Sequence, residues 1–144
     1  MELKRYNLYY GGKKMWSAGT AVRESSGFVF LSGTEGIDPE TDKVVEGAYA
    51  QTRLALVKIK ERLEELGTSL QNICHIWTYI VGKEFPDGIT SDPICQERTR
   101  ALREFWAEHC PEFIENPPAA SLIGVSGLGR KGMVVEIVVI AAIP

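Results

Sequence analysis

The residue best suited to chemistry sits in the least polar part of the chain. The segment MVVEIVVIA, Met133–Ala141, holds one carboxylate, Glu136, among eight apolar residues. A run this apolar predicts a buried strand. Burying an isolated carboxylate costs several kcal/mol unless it is paired, hydrogen-bonded or protonated. Two readings of Glu136 stand side by side. It is a cleft carboxylate available for proton transfer or for orienting water, or it is a strand-edge group, solvated or paired with Arg130 or Lys131. SGTEG, Ser32–Gly36, ends an apolar stretch with a small, flexible turn. Its backbone N–H groups and the Ser32 hydroxyl could line a pocket, or the segment is ordinary turn chemistry.

The other reactive side chains lack productive spacing. Cys74 and His75 are adjacent in a predicted strand, so they point to opposite faces and cannot act as a pair. His109-Cys110 ends a predicted helix, where a histidine suits the helix dipole. Neither pair has the spacing of a metal site, and no metal is expected. SGLGRKG, residues 126–132, is not G-x-G-x-x-G and opens no helix, so it is no dinucleotide loop. Arg130 and Lys131 read as a solvated hairpin tip. Trp16, Trp77 and Trp106, with Tyr79 and Phe105, supply large apolar area for a core or an interface.

The elements that must position these residues follow from periodicity. KRYNLYYGG begins as a short strand and ends in a Gly pair. SAGTAVRESSGFVFLSG reads as two strands joined by a hairpin-like RESSG turn. A helix spans about Gly47 to Leu66: Tyr49, Thr52, Leu56, Ile59, Leu63 and Leu66 share one face, and Gly67 stops it. NICHIWTYIVG is a strand rich in β-branched and aromatic residues. Ser91 or Asp92 caps a second helix with Pro93 in its first turn, and Pro111 ends it. Ile94, Arg98, Ala101, Leu102, Phe105 and His109 line one side of that helix. AASLIGV and MVVEIVVIA close the chain as strands.

The order is β-β-β-α-β-α-β-β, an α+β two-layer sandwich with two helices on one face of a mixed sheet. Both faces of the strands are nonetheless apolar. In the last strand, Met133, Val135, Ile137, Val139 and Ala141 face one way, and Val134, Glu136, Val138 and Ile140 the other. The helix-free face needs another cover, and a second copy of the same sheet supplies it, with ligand clefts where subunits meet.

The bulk properties narrow the classes. The 144 residues suit one domain, residues 1–144, with one core. A net charge of −3 argues against nucleic acid or an anionic membrane surface as partner. No apolar run reaches a transmembrane length. The first residues lack the apolar centre of a signal peptide, and the three cysteines form no C-x-x-C, so a reducing cytoplasmic compartment is expected.

Taken together, the segments resemble the Rid (reactive intermediate deaminase) family, also called YjgF. GFVFLSGTEGIDPETDKVV is similar to its strand, Ser-Gly turn and D/N-P-x-T-G loop. AQTRLALVKIKERLEELGTSLQNICHIWTYIVG is similar to its first helix and central strand, RALREFWAEH to its second helix, and PPAASLIGVSGLGRKGMVVEIVVIA to its closing strands. The likeness covers about Ser17 to Ala141 and rests on order and spacing more than on any one motif. It implies a chorismate-mutase-like homotrimer with three intersubunit clefts. It also implies hydrolysis of amino-acid-derived enamines and imines to a ketoacid and ammonia, without metal or organic cofactor. An arginine clamps the substrate carboxylate, and a glutamate of the last strand helps to position water.

Residue by residue, the resemblance assigns the glutamate to Glu136, the Ser-Gly pair to Ser32 and Gly33, and the serine after the arginine to Ser121. An asparagine of the second helix falls on Thr99. The N-terminal tyrosine has no clear match near Trp16 and Gly19. The arginine position of P-A-R-S holds Ala120. Losing one partner of such a contact costs several kcal/mol of binding, so an altered substrate preference is implied. Arg98 and Arg23 are candidates for a replacement cation, each weighed against plain surface solvation. The alternative is a trimer that binds a small metabolite without turnover. The ribonuclease and translation-inhibitor labels that some relatives carry fit poorly with the charge and with the absence of paired catalytic histidines.

Overall fold

Seven strands form one mixed sheet in the computed structural model, which describes residues 1–10 and 13–144. The strands are β1 (Glu2–Tyr10), β2 (Lys13–Arg23), β3 (Gly27–Phe30), β4 (Thr34–Glu35), β5 (Ile73–Val81), β6 (Ala119–Val125) and β7 (Val135–Ile143). The helices are α1 (Ala48–Glu65), α2 (Pro93–His109) and a short α3 (Glu112–Glu115). Across the sheet the order is β1-β2-β6-β5-β7-β3, with β4 also paired to β7. The β2/β6 and β6/β5 pairs are parallel and the others antiparallel. The Gly11–Gly12 pair expected to end the first strand lies outside the described residues.

Alternation along β7 decides which face meets the helices. Val135, Ile137, Val139 and Ala141 are buried against Leu56, Ile59 and Leu63 of α1 and Phe105 of α2. Glu136, Val138 and Ile140 lie on the opposite, half-buried face. There β5 adds a stacked His75–Trp77 pair, 3.9 Å between ring centroids. The edge strand β3 leaves Phe28 and Phe30 47% and 72% exposed. The α+β layering with helices on one face is thus as the pattern predicts.

Local signals set the helix ends. Gly67, at φ 79°, closes α1. Its N–H bonds Glu64 O at 3.2 Å and the Thr68 N–H bonds Leu63 O at 2.9 Å, the paired bonds of a Schellman stop. Of the two capping candidates for α2, Asp92 is the cap: its side chain accepts from the Ile94 N–H at 2.9 Å, and Pro93 follows in the first turn. Leu66, assigned to the buried face of α1, is 53% exposed because it falls beyond the last turn.

Three expectations about connection are corrected. RESSG is not a hairpin, because β2 pairs β1 and β6 while β3 pairs β7 across the sheet. The two C-terminal strands are not neighbours either. Strand β5, nearly all apolar, takes the centre between them, and β6 lies parallel to it after the α2 crossover. SGLGRKG is therefore a loop over the sheet end rather than a hairpin tip. Lastly, part of the SGTEG turn is itself a strand, β4, so the order has one more strand than expected.

The β1–β2 arm hangs at the sheet edge. Among the described residues, one register pair, Ser17 with Ala119, and the Ser17 N–H to Pro118 O bond at 3.2 Å join it to β6 and its lead-in. Side chains add to this: Arg5 Nη2 donates to Gln71 O at 2.8 Å and Ile73 O at 3.2 Å, and Asn7 Nδ2 donates to Asn116 Oδ1 at 3.1 Å.

Candidate functional site

Glu136 and the Ser32-Gly33 turn come together because β4 pairs with β7. A Cβ on Gly33 would lie 1.8 Å from Glu136 Oε1, so the carboxyl group rests against the Gly33 backbone and a side chain there would push it aside. The turn is fixed from the helix side. Arg62 of α1 donates to Thr34 Oγ1 at 2.7 Å, and Thr34 Oγ1 donates to Ser32 O at 3.2 Å. The start of β7 is fixed too. Buried Gln51 accepts from the Val134 N–H at 2.9 Å and donates to Gly132 O at 2.8 Å and Val45 O at 3.0 Å.

Lys58 of α1 lies 3.9 Å from the Glu35 carboxylate and leaves Glu136 as the rim carboxylate without an ion pair among the described residues. Glu35 stands directly opposite Glu136 in the β4/β7 register. Burial first, and the Glu35 charge second, raise the Glu136 pKa above the usual carboxylate value. Among the described residues no ion pair reaches Glu136. Arg130, the partner suggested by sequence, pairs with Asp42 at 2.9 Å in solvent instead.

The other predicted site residues gather elsewhere. Ala120, Thr99 and Ser121 border a cavity of about 710 Å³ between α2 and the β5–β6 part of the sheet. In register, Ala120 lies beside Ile76 of β5 whereas Glu136 lies beside Tyr79. Two strand spacings, about 10 Å, and opposite sheet faces therefore separate the two groups within one chain. Ser121 turns toward the outer face, where its Oγ lies 3.1 Å from His75 Nε2. Burial lowers the His75 pKa, which favours the neutral ring at pH 7.

Of the two replacement cations, Arg23 is exposed near the end of β2. Arg98 borders the cavity, its Nε is buried without a hydrogen-bond partner, and burial lowers its pKa. Its place on the apolar side of α2 was the sequence signal for this. Gln51, Arg62 and Glu35 carried no such signal. Among the described residues no group of three or more His, Cys, Asp or Glu is placed to hold a metal. Cys74, Cys95 and Cys110 are buried free thiols, and burial pushes Cys110 up to about 11. Cys74 bonds Asn72 O rather than His75. Among the described residues no helix is long and apolar enough to cross a membrane.

A mixed sheet with helices on one face, and a last-strand glutamate seated on a Ser-Gly turn, defines a small α+β protein of YjgF type. The family model described as Endoribonuclease L-PSP matches residues 13–91. A RutC family protein of Aquifex aeolicus is 31% identical over 119 residues, 81% of this chain and 83% of that protein. A RutC family protein of Pyrococcus abyssi is 31% identical over 115 residues, 79% and 77% of the two chains. Among solved structures, YyfB of Yersinia pestis, described as of the conserved Rid protein family, superposes with a TM-score of 0.67 at 22% identity, covering 89% and 86% of the chains. The chain belongs to the Rid/YjgF family.

Proposed function

We propose that this chain is a Rid-like hydrolase acting on an enamine, imine or related small C–N metabolite at clefts between the subunits of a homotrimer. Its substrate preference differs from that of relatives with an arginine at the Ala120 position. The observation that carries the reading is the Glu136 carboxyl group, held against Gly33 with no ion pair among the described residues and with a raised pKa. Such a group exchanges protons near neutral pH more readily than an ordinary carboxylate. In imine hydrolysis, water adds to the imine carbon while a proton reaches the nitrogen, and a second proton then passes from the new hydroxyl to the nitrogen as the C–N bond breaks to release ammonia and a carbonyl compound. Glu136 would take the proton from water and return it to nitrogen.

The exposed Phe28 and Phe30 and the stacked His75–Trp77 pair support an assembly that covers the outer sheet face. The separation of Glu136 from Ala120 within one chain supports a site completed by a neighbour. Three free buried thiols are consistent with a reducing, cytoplasmic setting. Ammonia release from a panel of enzymatically generated imino acids tests the activity, and Glu136→Ala with full activity would remove the mechanism. A monodisperse monomer at micromolar concentration would refute the trimer.

Ala120 favours a second reading, a trimer that binds a small metabolite without turnover. TdcF of E. coli, alike in fold with a TM-score of 0.66, is described with bound serine. Saturable thermal stabilisation by a metabolite that gives no product would select this reading. No nucleic-acid partner is proposed: the charge is −3, and the two histidines stand on different elements.

A further inference from the structure

Between β5 and α2 the chain runs through KEFPDGITS, residues 83–91, and little ties this stretch to the rest of the molecule. The Gly82 N–H bonds Val125 O at 2.9 Å, and beyond it no hydrogen bond joins residues 83–91 to the sheet among the described residues. The backbone bonds within the stretch are local: the Gly88 N–H bonds Phe85 O at 3.0 Å, and the Ser91 N–H bonds Gly88 O at 3.1 Å. Lys83, Glu84, Pro86, Asp87, Gly88 and Thr90 are exposed.

Phe85 is the anchor. Its ring rests in a notch made by two glycines. A Cβ on Gly82, just after β5, would meet the ring at 2.5 Å, and one on Gly124 of β6 would come closer still. Neither glycine has a positive φ, so the close approach of the ring, not the backbone, requires them. The notch adjoins the large cavity. Ala120, Leu122 and Gly124 alternate along β6 and share one face, and the first two border the cavity of about 710 Å³. Phe85 therefore stands at the end of that cavity, over the next step of its floor. Ile89 and Thr90, from the same stretch, border the cavity directly.

The stretch is also loosely seated. Phe85, Pro86, Asp87 and Gly88 bound, with the start of α2, a second space of about 150 Å³, more than close packing leaves. Gly88, at φ 83°, supplies a turn that other residues rarely adopt. Local bonds, an exposed backbone and one aromatic anchor place a segment at the low end of local stability, the make-up of loops that gate ligand sites.

We propose that residues 83–91 form a lid on the cavity, with Phe85 as its latch. In the closed state the ring fills the Gly82–Gly124 notch. Lifting the lid withdraws the ring and opens that end of the cavity. The inference concerns access to the cavity and stands whether or not the chain turns a substrate over.

Cys95 reports on the lid. It lies in the first turn of α2, is 2% exposed, and borders the cavity together with Ile89 and Thr90. Cys74 and Cys110 do not border the cavity and serve as internal references. The full-length protein is treated with N-ethylmaleimide, and labelling of each cysteine is followed by peptide mass spectrometry. Phe85→Ala should speed labelling of Cys95 by about 10-fold or more and leave Cys74 and Cys110 at their natural rates. Gly124→Ala keeps Phe85 but fills the notch, and should act in the same direction. An unchanged Cys95 rate in the folded variants would overturn the proposal. So would an equal rise at all three thiols, which would make Phe85 a support of the whole fold. If neither variant folds, the natural protein decides alone. Its Cys95 should label through a local opening that low urea does not speed, and a Cys95 rate that follows Cys74 and Cys110 through urea would overturn the lid.

Discussion

The rim around Glu136 and the cavity between α2 and the sheet differ in the charges that border them. The rim holds two carboxylates facing each other, with no cation within ion-pair distance of Glu136 among the described residues. The cavity border holds three arginines and no carboxylate. Had Arg98 stood beside Glu136, its charge would have pulled the carboxyl pKa down and fixed it as an anion. Separation on opposite sheet faces leaves Glu136 as a carboxyl group that protonates more easily than an ordinary carboxylate.

The largest effect that would break this contrast is chemical. Glu136→Ala should lower ammonia release by about 100-fold or more, while the assembly in sedimentation stays that of the natural protein. Loss of both would make Glu136 a structural residue instead. Next in size is the support of the rim. Gln51→Ala removes a buried amide with three hydrogen bonds and should cost about 2–3 kcal/mol in urea unfolding. The matching change on the cavity side is smaller. Asp92→Ala removes the α2 cap and should cost about 1 kcal/mol in urea unfolding, with little change in ammonia release.

A pH experiment sharpens the rim further. Because the folded pKa of Glu136 is raised, the folded state holds more protons than the unfolded state between the ordinary glutamate value and the raised one. The natural protein should therefore lose stability as pH rises through that window. Glu136→Gln should melt higher than the natural protein at pH 7, and the gap should close toward pH 4. A gap that widens toward acid would reverse the sign and discredit the raised pKa. The smallest effect is expected at Arg130→Ala. Its pair with Asp42 is exposed, so stability should change by less than about 1 kcal/mol and activity should not change.

How much of this could be read from the sequence depends on the range of the interactions. The ends of α1 and α2 were legible, because Gly67 and Asp92-Pro93 act within a few residues. So was the alternation of β7, which put Glu136 on the face without helices. Strand neighbours were not legible. RESSG has good turn chemistry, but whether the next strand pairs locally or crosses the sheet is set by which strands are most apolar, and β5 claims the centre.

The site follows the same division. The resemblance named Glu136, Ser32 and Gly33, yet the Gly33–Glu136 contact depends on a two-residue strand that no local signal announces. Arg98 was on the right side of its helix. Solvation was nevertheless the natural reading, since a long arginine stem at a helix boundary usually carries its charge out to water. Gln51 looked like one more polar residue on a charged helix, and only its three distant partners reveal its role.

The attachment of the β1–β2 arm has a consequence of its own. A segment joined to the sheet through one register pair, one further backbone bond and a few side-chain hooks has its own local equilibrium, weaker than that of the central strands. Its amides should exchange with deuterium through a partial opening that leaves β5 and β7 intact. The molecule is then two cooperative units of unequal strength, and Trp16, borne on the weaker one, forms part of the cavity wall.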